Sequence, residues 1–374
     1  MRVLHVVPSF YPAFYYGGPI QSHYGLCNAL ARQGVELRVL TTDTAGPGRR
    51  LSIDHFPLQT PSNYPVYFCK RIFLTSVSPG LLGRLTGHIC WADIVHLTGV
   101  YSFPTLPTLW ACRVWNKPLV WSPRGSLQRW GGTTRPVLKA LWERLCRLVM
   151  PQKTIFHVTS QREKEESLKK FPHAEMAVIP NAIEMPKELS PKEVAGEFRL
   201  LYLGRLHSIK GIENLLWALK GLNGCLQKPW SLKIAGFGEQ RYVSDVKNLI
   251  NKLELSSFVK MGGGVFGEAK QALFEHTDVL VLPSYTENFG MVVAEALAHG
   301  VPVIASKGTP WERVEEIGCG LWTANDPESL KPAIIRISQM PLQAMGARGR
   351  DWMAKEFSWE DRAREMTELY GALI

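Results

Sequence analysis

Two carboxylates eight residues apart, Glu287 and Glu295, bracket Asn288-Phe289-Gly290 within the stretch from Leu282 to Ser306. Apolar Val279 to Leu282 reads as a buried strand and Pro283 to Phe289 as a polar loop. Gly290 to His299 then reads as a helix and Val301 to Ala305 as the next strand, which makes a βαβ unit. Such a loop leaves the carboxyl end of a parallel strand, where open α/β sheets bind ligands. The helix opening near Gly290 offers unpaired N–H groups to an anion. Glu287 lies in the loop and Glu295 roughly one and a half turns into the helix, so two acceptors can flank that anion and bind hydroxyls. A phosphate with hydroxyls on both sides describes a nucleotide-sugar.

Alone, Glu295 would pass for a solvated helix residue; its neighbours change the reading. The stretch resembles the retaining glycosyltransferases of family 4, which have the GT-B fold. Their Glu-x7-Glu signature is matched by Glu287 and Glu295, with Asn-Phe-Gly and Pro-Val-Ile-Ala-Ser around it. The resemblance returns at Gly204-Arg205-Leu206 with Lys210-Gly211, at Ala235-Gly236-Phe237-Gly238, at Pro180-Asn181 and at Gly17-Gly18, in the expected order over nearly the whole chain. It implies an α/β protein of two Rossmann-like, doubly wound domains facing a central cleft. The implied activity is transfer of a sugar from a nucleoside diphosphate sugar to a glycan or lipid-linked acceptor, with retention of the anomeric configuration.

Such a transfer needs the leaving diphosphate stabilised as the anomeric bond breaks, by a divalent metal or by fixed cations and N–H dipoles. Arg205 and Lys210 follow the strand ending at Gly204, and the resemblance assigns such a pair to the donor phosphates. Arg can grip a phosphate bidentately while Lys acts as a point charge. The resemblance further implies that Glu295 binds the ribose hydroxyls and Glu287 the hydroxyls of the transferred sugar. Asn288, Phe289 and Gly290 would supply backbone N–H groups. Gly17 and Gly18, after the first strand, would close over the donor from the opposite lobe. Gly236 is a strand-to-helix turn near the nucleotide, and Val265 stands where the family's backbone meets the base. The chain has no Asp-x-Asp and its histidines lack ligand spacing, so no metal and no cofactor beyond the donor substrate is expected.

The amino half departs from the commonest pattern. Many relatives carry a histidine just after the strand matched by Leu119 to Ser122, facing the sugar; here the run is Ser122-Pro123-Arg124-Gly125. An arginine will not act as a base, because its pKa exceeds about 12. Arg124 would therefore stabilise charge, and the leaving phosphate oxygen would take the acceptor's proton. His96, placed after a strand Ile94 to Val95, is the alternative catalytic candidate and can equally be a satisfied core histidine.

These residues must be held by alternating strands and helices. Strands fit Val3 to Val7, Glu36 to Thr41, Val66 to Cys69, Ile94 to Leu97, Leu119 to Ser122, Ile155 to Thr159 and Met176 to Ile179. A second set fits Arg199 to Leu203, Leu232 to Ala235, Val259 to Met261, Val279 to Leu282 and Val301 to Ala305. Alternation of this kind means two doubly wound parallel sheets. The expected domains are residues 1–183 and 192–358, with a hinge near 181–191 rich in Glu, Pro and Lys. By resemblance, a last helix within 359–374 completes the first domain.

With 374 residues and 45% hydrophobic content, two folded domains are the natural prior. No apolar run is long enough to span a membrane, and the amino terminus reads as a strand, not a signal peptide. Seven cysteines without a Cys-x-x-Cys pair point to a reducing cytoplasm. The net charge of +10 sits in one half: residues 1–190 hold 22 Lys and Arg against 11 Asp and Glu, residues 191–374 hold 21 against 22. A basic amino half suggests an anionic partner, a lipid surface or a phosphorylated acceptor, the alternative being the balance of an ordinarily basic protein; no nucleic acid is expected. From Arg135 to Met150, helical spacing puts Leu138, Leu141, Trp142, Leu145 and Leu148 on one face, with Lys139, Arg144 and Arg147 elsewhere. Such a helix lies on a membrane or packs on its own sheet. The expected location is cytoplasmic, peripheral on the inner face of the membrane. Tyr101, Phe103, Trp110, Trp115 and Trp130 are candidates for stacking on an acceptor sugar. Two rival readings share these features: a nucleotide-sugar epimerase of the same fold, and a non-catalytic nucleotide-sugar-binding subunit.

Overall fold

The computed structural model describes residues 1–53, 57–73, 76–128, 135–189, 196–222 and 224–374. Trp130 and part of the expected hinge, residues 190 and 191, lie outside the described residues. The chain divides into two compact units, Met1–Ala182 with Trp359–Ile374, and Ile183–Ser358.

The first unit runs β1 (Arg2–Val6), α1 (Gly18–Arg32), β2 (Glu36–Thr42), β3 (Thr44–Gly46), β4 (Arg49–Arg50), β5 (Leu58–Gln59) and β6 (Pro65–Cys69). It continues with α2 (Pro79–Trp91), β7 (Ile94–Thr98), α3 (Thr105–Val114), β8 (Leu119–Ser122), α4 (Pro136–Val149), β9 (Thr154–Val158), α5 (Gln161–Leu168) and β10 (Glu175–Val178). Its main sheet has the order β10-β9-β8-β7-β1-β2-β6-β5, parallel apart from the short β5. The central strands are apolar runs buried on both faces, as a helix-covered parallel sheet requires. Ser78 and Ser160 start α2 and α5 by accepting the backbone N–H groups of Leu81 and Glu163. A C-terminal helix, Trp359–Leu373, packs beside α1 and buries Ala363, Met366 and Tyr370.

The second unit runs β11 (Phe198–Leu203), α6 (Ile212–Lys220), β12 (Trp230–Ala235), α7 (Gln240–Lys252), β13 (Val259–Gly262), α8 (Gly267–Glu275) and β14 (Val279–Leu282). After these come α9 (Met291–Ala298), β15 (Val303–Ser306), α10 (Arg313–Ile317), β16 (Gly320–Thr323), α11 (Pro327–Ser338) and α12 (Leu342–Glu356). All its strands are parallel, in the order β13-β12-β11-β14-β15-β16. This is the Rossmann order, and it reverses between β11 and β14. Loops at the carboxyl ends of those two strands therefore diverge and leave a crevice, the place where doubly wound sheets take ligands.

Three expectations are corrected by the structure. The strand expected from Val301 starts at Val303, since Gly300 turns at φ +65° and Pro302 has no N–H to donate. His96 does not follow its strand but lies inside it, because β7 continues to Thr98. The apolar face read on α4 is split: Trp142 turns inward with Glu143 and Cys146, while Leu138, Leu141, Leu145 and Leu148 stay exposed. Sequence alone missed β16, whose Gly-Leu-Trp-Thr is too short to show a period.

Candidate functional site

In the second unit the residues singled out from sequence gather at the reversal of strand order. Arg205 and Lys210 follow β11; Glu287, Asn288, Phe289 and Gly290 follow β14; Glu295 lies on α9. Two close backbone approaches hold these loops together. A side chain on Gly211 would meet the Pro283 carbonyl oxygen at 2.2 Å, and one on Gly236, after β12, would meet the Gly204 carbonyl oxygen at 1.7 Å. Only glycine permits either contact. The backbone N–H of Tyr285 donates to the Ile209 carbonyl at 2.9 Å, and Asn325 donates to the Pro283 carbonyl at 3.3 Å.

The result is a fixed ion pair. The ammonium of Lys210 donates to Oε1 of Glu287, which also accepts the Ser284 hydroxyl at 2.8 Å. The two side chains are mostly buried, 15% and 12% exposed, so the pair is partly shielded from solvent screening. A second pair joins Lys270 on α8 to Oε1 of Glu295. In both carboxylates Oε2 accepts no hydrogen bond among the described residues, which leaves an acceptor for a hydroxyl. Arg205 is exposed, and its guanidinium has no ion-pair partner among the described residues.

Gly290 takes the left-handed conformation at φ +79° and starts α9, so the first-turn N–H groups have no preceding helical carbonyl. Phe289 is buried against Trp311 and Phe357, with ring centroids at 5.2 and 5.9 Å, and the Trp311 indole N–H donates to its carbonyl. Its side chain anchors the loop. Asn288 remains partly accessible. Val265 is half-buried in the loop between β13 and α8, beside Phe266, whose ring stacks on Phe237 at 5.7 Å. Cations, free carboxylate oxygens and a helix amino terminus together can hold an anion and grip hydroxyls next to it. Sequence reasoning missed Lys270, Ser284 and Asn325, which carry no motif and are recognisable only by what they touch.

In the first unit, Gly17 and Gly18 follow β1 and open α1, with Gly17 at φ +70°. Arg124 follows β8 in a left-handed turn, φ +53°, with Gly125 at +76°. Its Nη1 donates to Oδ1 of Asn181 at 2.5 Å, while Nε is buried without a partner among the described residues. Beneath the turn, fully buried Glu163 accepts the Gly125 N–H at 2.6 Å, the Thr159 N–H at 2.7 Å and the Thr159 hydroxyl at 3.0 Å. Burial raises the carboxyl pKa of Glu163, those bonds and Arg124 oppose the rise, and burial lowers that of Arg124 to about 10.

His96 is fully buried and both its ring nitrogens are taken, which places it in the interior of the first sheet. It belongs to a chain of hydrogen bonds whose direction can be worked out. His157 Nε2 must donate to the Ile179 carbonyl (2.9 Å), so His157 Nδ1 accepts the Ser122 hydroxyl (2.8 Å). Ser122 then accepts from His96 Nε2 (2.7 Å), and His96 Nδ1 accepts the Tyr370 hydroxyl (2.5 Å). Tyr370 in turn accepts from His5 Nε2 at 3.3 Å, which leaves His5 Nδ1 without a partner among the described residues. All three imidazoles must be neutral, and burial holds them so: His5 is lowered to about 3, His96 and His157 well below the ordinary value. Register explains the assembly, since His5 is level with His96, and Ser122 lies one residue past the Trp121–Phe156 pair.

The family described as "Glycosyl transferases group 1" matches residues 186–352, and "Glycosyltransferase Family 4" matches residues 16–185. A phosphatidyl-myo-inositol mannosyltransferase of Mycobacterium leprae is 25% identical over 94% of this chain and 92% of its own. An uncharacterized glycosyltransferase of Methanocaldococcus jannaschii is 31% identical, but over 46% of this chain and 45% of its own, so the chain spans less than half of that relative. The solved structure of Anabaena HepE with UDP-glucose superposes with a TM-score of 0.77 at 18% identity, covering 100% of both chains, and shares the GT-B fold. Two family matches that abut at residue 185 and together run from 16 to 352 leave one conclusion: the chain is a glycosyltransferase of family 4.

Proposed function

We propose that this chain transfers a sugar from a nucleoside diphosphate sugar to a glycan or lipid-linked acceptor, with retention and without a metal, at the surface of an anionic membrane. The observation that carries the reading is the pairing of Lys210 with Glu287 and of Lys270 with Glu295 where the strand order of the second unit reverses. Arg205, Lys210 and the amino terminus of α9 are the charges that hold the donor phosphates. Oε2 of Glu295 takes the ribose hydroxyls and Oε2 of Glu287 those of the sugar. Names of relatives support the substrate classes: one acts on phosphatidyl-myo-inositol, and one structure was solved with UDP-glucose. The basic amino half favours the lipid-linked acceptor and the anionic surface.

In the reaction the bond between the anomeric carbon and the phosphate oxygen breaks, and a bond to the acceptor oxygen forms on the same face. The acceptor's proton passes to the departing phosphate oxygen, so no side-chain base is needed. Fixed cations stabilise the developing phosphate charge most where water is excluded. Proton NMR of the product's anomeric coupling, run with excess EDTA, tests this: an unchanged anomer with activity intact is expected, and an inverted product or lost activity overturns the proposal. Incubation with the donor alone should leave the sugar unchanged apart from slow hydrolysis, whereas an epimerase would convert it.

A further inference from the structure

Five apolar side chains of α4 face solvent: Val137, Leu138, Leu141, Leu145 and Leu148, with Val137 79%, Leu138 61% and Leu148 62% exposed. At 3.6 residues per turn, positions 138, 141, 145 and 148 form one stripe. The opposite side does the packing. There the Trp142 indole donates to the Val100 carbonyl at 2.7 Å, the Tyr101 hydroxyl donates to Glu143, and Cys146 is fully buried. Exposed Arg144 borders the stripe, and Arg147, exposed further round the helix, donates through Nη1 to the Lys170 carbonyl at 2.9 Å. Helix α3 packs beside α4, clipped by the Arg113 guanidinium on the Leu148 carbonyl, and adds exposed Trp110, Val114 and Trp115. The only acidic residue in the two helices is Glu143, which is buried.

An apolar patch of this kind marks an interaction surface. Leucines flanked by arginines, with tryptophans nearby and no exposed acid, match the headgroup and acyl boundary of an anionic bilayer. A two-fold dimer through the stripe would bring the same cations of both copies together. We infer that α3 and α4 are the face on which this chain seats on an anionic lipid bilayer, the leucines entering the acyl boundary and Arg113 and Arg144 meeting headgroup phosphates. The inference rests on the membrane reading above and extends it by naming the face and by making leucine insertion a principal contact.

The test uses the full chain with vesicles of phosphatidylcholine, alone or mixed with phosphatidylglycerol, sedimented at low and high salt. Wild type should sediment with the anionic vesicles, and high salt should weaken that binding while leaving a remnant carried by the leucines. The double variant Leu141→Glu/Leu145→Glu, whose altered side chains are exposed and whose fold is checked by circular dichroism, should lose about tenfold in binding at both salt levels. Equal binding by the variant overturns the assignment of the face while leaving the membrane reading intact. No binding by wild type overturns both. A wild-type dimer that the variant makes monomeric, seen by light scattering, shows the stripe to be an interface between copies and overturns the inference. Calorimetry with a nucleoside diphosphate on the same samples tests the donor reading separately, since vesicle binding needs no nucleotide.

Discussion

The charges at the carboxyl ends of β11 and β14 are tied to particular oxygens, and that sets what single substitutions should do. Glu295→Ala removes a carboxylate with one oxygen on Lys270 and the other without a partner among the described residues, and Arg205→Ala removes an exposed cation. Each should weaken nucleoside diphosphate binding by about 1.5 to 3 kcal/mol, the worth of a hydrogen bond to a charged group, with the circular dichroism unchanged. Unaltered affinity in both variants by calorimetry would remove the donor assignment. In the first unit, Glu163→Gln replaces one of the two oxygens that accept the Gly125 N–H and the Thr159 N–H and hydroxyl with an amide NH2, which sets a donor against a donor. A stability loss of about 2 kcal/mol in urea unfolding is expected; an unchanged midpoint would mean that the loop at Arg124 is held by Asn181 instead.

Strands and helices were largely legible because parallel strands buried on both faces read as Val, Ile and Leu runs. The Gly-Arg-Leu and Glu-x7-Glu segments fall where those strands end, so the half of the site that carries motifs was readable too. Legibility stopped where register brings distant residues together. His5, Ser122, His157 and Tyr370 carry no local pattern, and His96 drew attention as a lone histidine although its strand keeps it inside. At this scale, Gly236→Ala would place a methyl at 1.7 Å from the Gly204 carbonyl oxygen and push the β11 and β12 loops apart. It should cost about 3 kcal/mol and lower donor affinity as well, read by thermal unfolding and calorimetry. The histidine chain makes a pH prediction. His5, His96 and His157, together with His23, which is buried on α1 outside that chain, have folded pKa values below the unfolded value of about 6.5, so the unfolded chain binds more protons and stability falls as pH drops below that point. Each contributes a loss of about 1.4 kcal/mol per pH unit between about 6.5 and its folded value. Asp93 and Asp326, lowered from the carboxylate range, titrate beneath the upper part of this window, and Glu163 alone in that interior works in the opposite sense. Urea unfolding should therefore show lower stability near pH 5 than near pH 7, and equal stability would contradict the burial of neutral imidazoles.

At the scale of the molecule, charge and chemistry are divided between units: the segment holding the exposed leucine stripe carries the positive excess, and the segment with the paired lysines and glutamates is close to neutral. The first unit is also discontinuous in sequence, since Trp359–Ile374 belongs to it although Ile183–Ser358 intervenes. That topology orders events during synthesis. When β1 to β10 have left the ribosome, Tyr370 does not yet exist; His96 Nδ1 lacks its donor, His5 Nε2 its acceptor, and the sheet face beside α1 its cover. Translation proceeds at roughly 5 to 20 residues per second, so the roughly 175 residues of the second unit keep the first one unfinished for about 10 to 35 seconds. The second unit, continuous in sequence, is thus free to fold first on the nascent chain, and the first waits on the last helix made.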